Sequence, residues 1–173
     1  MAATNLSSTV LNSTNTYREI HRVDPLTWNT TLADFAQEAA QACIFKHSGG
    51  PYGENLAGGY PTPTLAIDAW ANEEPLYSYK KQKFTEKNGH FTQLVWANTT
   101  DVGCANVNCG NEGGGEGELQ GDFLICEYWP RGNVQGQFGD NVLKPVGSGA
   151  WRGRGSMGWW AWWGVAVMVL GML

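Results

Sequence analysis

Apolar residues recur every three or four positions in the stretch TTLADFAQEAAQACIF, and this spacing predicts a helix from about Thr31 to Phe45. Its apolar face consists of Leu32, Phe35, Ala36, Ala39 and Cys43. The many alanines also favour a helix. Either Thr30 or Thr31 is the expected cap, because a hydroxyl there accepts a hydrogen bond from a free amide of the first turn.

Two more helices are predicted, one on each side of this helix. The segment NSTNTYREIHRV, residues 12–23, has Ser/Thr capping residues and stops at Asp24-Pro25, since proline disfavours helix in the residue before it. The segment TLAIDAWANEE, residues 64–74, begins a helix with Thr64 as its cap. Residues 1–11 are polar and are expected to form a flexible lead.

The second half of the chain changes from helical to strand-like composition. Residues 90–97, 102–109 and 122–129 are rich in β-branched and aromatic side chains, which predicts three strands. Gly- and Pro-rich loops are predicted at 47–63 and 110–121. Helices followed by strands indicate an α+β domain in which helices pack on an antiparallel sheet.

Length and charge limit the classes of function. The chain has 173 residues, enough for one domain with a sizeable core, here taken as residues 12–142. Its net charge is −5, and no basic run precedes the C-terminal region. A nucleic-acid partner is therefore not expected, because such binding requires a basic face. The protein is expected to act as a monomer.

Four cysteines and four glycosylation sequons favour an oxidising, secretory compartment. The cysteine count is even and matches no C-x-x-C motif. The sequons are at Asn5, Asn12, Asn29 and Asn98. A cytosolic protein with chance sequons is the alternative. Residues 1–15 lack the basic start and apolar run of a signal peptide, so a leader is expected to be missing from this chain.

The C-terminal end has the pattern of a glycolipid (GPI) anchor signal. Residues 159–173 are uncharged and apolar, but they are shorter than the ~20 residues that cross a bilayer. Residues 143–158 form a linker with small residues around Ser148, the predicted attachment site. Gly147 and Gly149 are the neighbouring choices. The prediction is a cell-surface protein whose tail is removed, and the alternative is a membrane-spanning or interfacial tail.

The candidate chemistry lies in two histidines and two glutamates. His47, Glu54, Glu73 and His90 all lie at the ends of predicted elements. Imidazoles suit zinc or copper, and carboxylates suit harder divalent ions as well. The alternatives are that the carboxylates hold the imidazole N–H groups without a metal, or that each histidine has a separate structural role.

Five motifs occur in order along the chain: PLTWNTTLADFAQEAAQAC, HSGGPYGENLA, AWANEEPLY, GHFTQLVWANTTDVGCA and ICEYWPRGNVQGQF. Over residues 12–142 the chain resembles the CAP superfamily of cysteine-rich secretory proteins, venom allergens and plant pathogenesis-related proteins. The resemblance is strongest to the secreted fungal branch. It implies an α-β-α sandwich with a central, mostly antiparallel sheet.

The resemblance also implies particular sites. His47, Glu54, Glu73 and His90 match the family positions that form a central cavity able to hold zinc or another divalent cation. Glu73, rather than Glu74, keeps the family's spacing from the preceding tryptophan. The family pattern implies two disulfides, Cys43–Cys109 and Cys104–Cys126.

The fungal branch implies binding of a sterol or fatty acid, so a binding protein is favoured over an enzyme. The family's lipid loop corresponds here to the ENLAGGYPTPTLAIDAW segment, where Tyr60, Leu65 and Ile67 are the candidate lipid contacts. One rival is a metal-dependent hydrolase or peptidase that uses the cavity residues and Ser48. A second rival is a cell-wall or host-interaction protein with a vestigial cavity, which would use Tyr128 and Trp129 as exposed aromatic residues. The alternative for both residues is a place in the core.

Overall fold

The computed structural model describes residues 5–110 and 119–146. We number its helices and strands in chain order, and one 3-10 turn, Glu74–Leu76, follows the third helix. The elements are α1 Leu6–Ile20, β1 Thr27–Trp28, α2 Thr30–Ala40, β2 Gly53–Gly58, α3 Pro63–Ala71, α4 Gly89–Leu94, β3 Asp101–Asn108, β4 Asp122–Trp129 and α5 Phe138–Asn141.

The strands of the described residues form one four-stranded sheet with the order β1-β3-β4-β2. β4 is antiparallel to both β3 and β2, and the short β1 runs parallel to β3. Two of the three pairings are therefore antiparallel, as the sequence predicts. β4 lies between two partners, which fits the near-continuous burial of its side chains.

Side-chain alternation along β4 builds two separate cores. Phe123 and Ile125 pack against Ala36 and Ala40 of α2 on one face of the sheet. The alternate residues of β4 face the other side of the sheet, where they pack in a larger core with α1, α3 and α4. These residues are Leu124, Cys126 and Tyr128. Helices thus cover both faces of the sheet, and the predicted α-β-α sandwich is confirmed.

Both predicted disulfides are present. Cys43–Cys109 joins the chain after α2 to the residue that follows β3, with a Cα–Cα distance of 5.7 Å. Cys104–Cys126 joins residues that are directly opposite each other on β3 and β4, with a Cα–Cα distance of 4.1 Å. The first disulfide therefore fixes α2 to the sheet, and the second lies within the sheet.

The helix boundaries differ from the predicted ones because the capping residues differ. α1 begins at Leu6 instead of residue 12, since the Asn5 side chain accepts from the Ser7 amide and starts the helix earlier. Residues 6–11 are therefore helical and belong to the folded domain. α2 is capped by Asn29, not by a threonine, and it ends at Ala40, before Phe45. α3 is capped by Thr62 in place of Thr64.

One predicted strand and one predicted loop were wrong in type. Residues 90–97 contain helix α4 and a turn instead of a strand. Residues 89 and 91–94 are all buried, so the sequence of this helix does not alternate between apolar and polar residues at the helical period. The predicted loop 47–63 contains β2, whose glycines and asparagine resemble turn composition. β2 pairs with β4 along its whole length, so the neighbouring strand outweighs weak local propensity.

A buried arginine ties α1 to the start of the second half of the fold. The side chain of Arg18 is fully buried. Its guanidinium donates to the carbonyl oxygens of Asp24 at 2.7 Å, Trp96 at 2.8 Å, Thr99 at 2.9 Å and Leu94 at 3.2 Å. Burial lowers the pKa of Arg18 to about 10, so the group remains charged at neutral pH. The cation thus satisfies the carbonyl of Leu94, the last residue of α4, and that of Trp96 just beyond the helix.

The sequon asparagines are distributed over the surface of the domain. Asn5 and Asn29 cap α1 and α2 through their side-chain oxygens. Asn12 and Asn98 are exposed. Ser148 and the apolar tail 159–173 lie outside the described residues. Within residues 5–110 and 119–146, no helix has the length and apolar character needed to cross a bilayer.

Candidate functional site

The four predicted polar residues form two imidazole–carboxylate pairs. His47 Nδ1 donates to Glu54 Oε1 at 2.6 Å, and His90 Nδ1 donates to Glu73 Oε1 at 2.6 Å. In each ring this hydrogen bond fixes Nδ1 as the protonated nitrogen of the neutral form and leaves the Nε2 lone pair available. The pairing of each histidine with a glutamate matches the alternative in which the carboxylates hold the rings.

Glu54 lies on β2, and its side chain binds the chain segment that precedes the strand. The Ser48 amide donates to both of its carboxylate oxygens, at 3.0 and 3.2 Å. The side chain of His47 remains 66% exposed, whereas that of Glu54 is 7% exposed. The buried carboxylate therefore anchors an imidazole that is open to solvent.

Glu73 joins the end of α3 to the start of α4. Its Oε2 accepts from the amides of His90 at 3.0 Å and Phe91 at 3.1 Å, which are free donors in the first turn of α4. The ring of Trp70 stacks on His90 with centroids 6.0 Å apart. Glu74 faces another way and accepts from the Tyr79 hydroxyl. Glu73 is therefore the glutamate of this pair.

His47, Glu54 and His90 line one polar cavity of about 420 Å³. The cavity also has side chains from the loops around it, among them Tyr52, Phe84, Glu86, Gln93 and Arg131. Glu73 is not on its wall but reaches it through His90. Across residues 5–110 and 119–146, no three His, Cys, Asp or Glu side chains are arranged to share one metal ion. The four residues form two pairs around a cavity and not one preformed cluster.

The sequence reading missed Glu127, which lies on β4 directly opposite Glu54 on β2. Its side chain is almost fully buried, at 1% exposure. Burial, and secondarily the neighbouring Glu54, raises the pKa of Glu127 to about 9. Burial also raises the pKa of Glu54, but the neighbouring Glu127 and the donors of Ser48 and His47 outweigh it and leave that pKa below its ordinary value. Glu127 has no signal in the sequence alone, because its place opposite Glu54 depends on strand register.

A second hollow, the apolar groove, lies between β2, α3 and the chain after α2. Its volume is about 420 Å³. Its charged or titratable residues are Glu73 and His90. Its apolar wall is formed by Phe45, Leu56, Ala57, Tyr60, Ala69, Trp70 and Leu119. His90 thus borders both the groove and the polar cavity.

The three predicted lipid contacts fall in different places. Tyr60 lines the apolar groove and is 38% exposed. Leu65 is 46% exposed on α3 but is not on the groove wall. Ile67 is fully buried in the larger core, so its contacts are with the protein interior.

The residues named for the rival functions have structural contacts. Ser48 Oγ accepts from the Gly50 amide at 3.2 Å, which is a turn contact. Tyr128 is fully buried in the larger core, which matches the alternative that it is a core residue. Trp129 is 48% exposed and stands edge-on to Tyr52.

An α-β-α sandwich with two histidine–glutamate pairs beside one cavity defines the class of this protein, and comparison with known proteins gives its family. The model of the cysteine-rich secretory protein (CAP) family matches residues 11–128. The chain belongs to the CAP family.

Two fungal relatives are similar in sequence. Protein PRY2 of Saccharomyces cerevisiae is 47% identical over 142 residues, covering 79% of this chain and 41% of the relative. Secreted protein RBT4 of Candida albicans is 37% identical over 158 residues, covering 82% of this chain and 42% of the relative. The chain therefore spans less than half the length of either protein.

Solved structures share the fold at low sequence identity. The Schistosoma mansoni venom allergen-like protein 4 has a TM-score of 0.59 at 22% identity, covering 73% of this chain and 88% of that one. A crystal structure of NaASP2 with Zn2+ has a TM-score of 0.56 at 19% identity, covering 81% and 85%. These likenesses support the sandwich architecture.

Proposed function

We propose that this CAP domain binds a sterol or another small lipid in the apolar groove, as a monomer outside the cell or at its surface. The observation that carries the proposal is the groove itself, which has apolar walls and one polar end at Glu73 and His90. Small-molecule sites usually combine a largely apolar wall with a few polar groups that orient the ligand. β2 and α3 supply most of the apolar wall, and the polar end lies after α3 and on α4.

Filling the groove tests this proposal. Ala69 lies on the groove wall and is partly buried, so Ala69→Trp places an indole where the ligand is proposed to bind. We expect sterol binding, measured with a radiolabelled sterol, to fall at least tenfold. The matched control is Leu65→Trp, on the same helix but off the groove wall, which should bind as the wild type does. Unchanged binding by Ala69→Trp would place the ligand elsewhere.

We propose in addition that a divalent cation, zinc in the first instance, binds at the polar cavity through Nε2 of His47 and His90. The residues present fit this cation, because both Nε2 lone pairs are available and both Nδ1 atoms are held by carboxylates. Glu54 and Glu73 then act as outer partners that orient the rings, a common arrangement for metal-binding histidines. When bound, the cation would supply positive charge for a polar group of a ligand.

Calorimetric titration with zinc chloride tests the cation site. Glu73→Gln removes the charge that orients His90, and we expect zinc affinity to fall about 10- to 100-fold. Glu74→Gln is the matched control, since Glu74 is the adjacent glutamate and bonds to Tyr79 instead. Equal affinity in both variants would argue against the pair as an orienting device.

Secretion and surface anchoring are part of the same proposal. Two disulfides support an oxidising compartment, and a relative is named Secreted protein RBT4. The four sequons and the C-terminal anchor pattern at Ser148 add to this support. Mass spectrometry of the native mature protein would detect glycans at the sequon asparagines and a glycolipid at the C-terminus. An unmodified, full-length C-terminus would contradict the anchor.

A further inference from the structure

Glu127 is a buried acid that the proposed lipid and cation sites leave unexplained. Its carboxyl group is 1% exposed. Among residues 5–110 and 119–146, no amide, hydroxyl or basic side chain donates to either of its oxygens. A buried polar group without a partner costs free energy on the order of 1–3 kcal/mol, so an interaction that accounts for it is expected.

The surroundings of Glu127 direct its carboxyl group toward Glu54. On β4 it shares a face with Ile125, which is apolar and packs against α2. Its opposite residue on β3 is Gly103, where an added Cβ would run into the backbone of the α2 region, so this side is closed. Its opposite residue on β2 is Glu54, the other carboxyl group.

The two histidine–glutamate pairs differ in what supports the carboxylate. Glu73 receives His90 Nδ1 and two amides from the first turn of α4. Glu54 receives His47 Nδ1 and one amide, that of Ser48. A hydrogen bond donated by Glu127 would give Glu54 a third donor, so that both glutamates would have three.

We propose that Glu127 is a positioning residue of the candidate site, whose buried carboxyl group holds Glu54 in place and through it orients the ring of His47. Two carboxyl groups in contact form a hydrogen bond when one of them is neutral and donates its O–H. This inference rests on the proposed role of the His47 ring as a ligand, and it adds the residue that sets the ring orientation.

Two substitutions of similar size separate donation from packing. Glu127→Gln keeps the shape and supplies N–H donors, whereas Glu127→Leu keeps the shape approximately and supplies none. The primary readout is the tautomer of His47 in the protein without metal or lipid, measured by long-range 15N–1H NMR of the rings. We expect His47 to remain Nδ1-protonated in Glu127→Gln and to become a mixture of both tautomers in Glu127→Leu.

His90 provides an internal control, because its partner Glu73 is held by α4 and should keep its tautomer in both variants. The second readout is zinc affinity by calorimetry, which should fall about tenfold in Glu127→Leu and less than twofold in Glu127→Gln. Since the tautomer is measured without ligand, failure of every variant to bind zinc or sterol would refute the proposed function but leave this inference standing.

The inference is overturned if His47 in Glu127→Leu keeps its wild-type tautomer. It is equally overturned if Glu127→Gln and Glu127→Leu alter His47 to the same extent, since that result would indicate packing alone. If Glu127→Leu does not fold, Glu127→Met replaces it as the flexible donor-free variant, and the same two outcomes decide.

Discussion

Replacing Arg18 by methionine is expected to remove a large part of the stability of the domain. Methionine keeps much of the length of the side chain but has no N–H donor, so the carbonyls of Asp24, Leu94, Trp96 and Thr99 lose their partner. These carbonyls belong to three separate segments that the guanidinium holds together. The first segment follows α1, the second ends α4, and the third leads into β3.

The magnitude follows from the hydrogen bonds and from the burial of the charge. Hydrogen bonds to a charged group contribute roughly 1.5–3 kcal/mol each, so four of them give a gross value of about 6–12 kcal/mol. The desolvation of the buried guanidinium cancels a large share of this value. We expect Arg18→Met to lower the free energy of unfolding by about 3–5 kcal/mol, the range for removing one side of a buried charged contact.

Urea unfolding at pH 7, followed by circular dichroism, measures this change. Arg18→Lys should lie between the wild type and Arg18→Met, because an ammonium carries three donors on one atom and cannot span carbonyls on three segments. Arg22→Met is the control, since Arg22 is exposed and bonds only to the Lys144 carbonyl among the described contacts of its side chain. It should change stability by less than about 0.5 kcal/mol. A loss below 1 kcal/mol for Arg18→Met would refute the anchoring role of Arg18.

Three other perturbations have predicted effects on stability. The pKa of Glu127 is about 9 in the fold against 4.5 ordinarily, so the folded state keeps a proton that the unfolded chain releases, and stability falls as pH rises through this window. Glu127→Gln should remove a slope of about 1.4 kcal/mol per pH unit, measured by urea unfolding from pH 5 to 8. Replacing Cys43 and Cys109 by serine opens a link between residues 66 positions apart and should cost about 4 kcal/mol by the same method. Gly103→Ala should cost about 2–3 kcal/mol in thermal unfolding, because its Cβ would run into the backbone of Ala33 and Asn29.

Each of these effects has its own control. For Glu127 the measured quantity is the difference in free energy of unfolding between Glu127→Gln and the wild type at each pH. If this difference does not change with pH, the raised pKa is contradicted. For the disulfide, the wild type and the double serine variant should be equally stable under reducing conditions, where both proteins have also lost the Cys104–Cys126 link. For Gly103 the comparison is Gly50→Ala, which meets a movable ring of Phe35 instead of backbone. Equal losses at the two glycines would contradict the close packing of α2 on β3.

The parts of the fold that could be predicted are those with a strong local pattern. α2 has a clear apolar stripe, and β3 and β4 have β-branched and aromatic side chains, so their existence follows from periodicity and propensity. The order of motifs supplied the sandwich and the disulfide pairing. α4 was missed because all its residues except His90 are buried, so the helix has no polar stripe. β2 was missed because it is held by β4 and not by its own composition.

The candidate site was predictable in its members but not in its arrangement. His47, Glu54, Glu73 and His90 were identified by motif, and the structure brings them together as two pairs. Glu127 could not be found in the same way, because its position opposite Glu54 depends on strand register, which no single segment encodes.

The base of the segment between β3 and β4 is closed independently of what the segment contains. The amide of Cys109 donates to the Gly121 carbonyl, and the amide of Gly121 donates back to the Gly110 carbonyl, both at 2.8 Å. The Cys43–Cys109 disulfide clamps the same point from outside the sheet. The positions 111–118 are therefore suitable for protein engineering. A foreign peptide or a fluorescent reporter inserted there, or new termini placed there by circular permutation, should leave the scaffold intact. An engineer who wanted to display or label this domain would begin at that point.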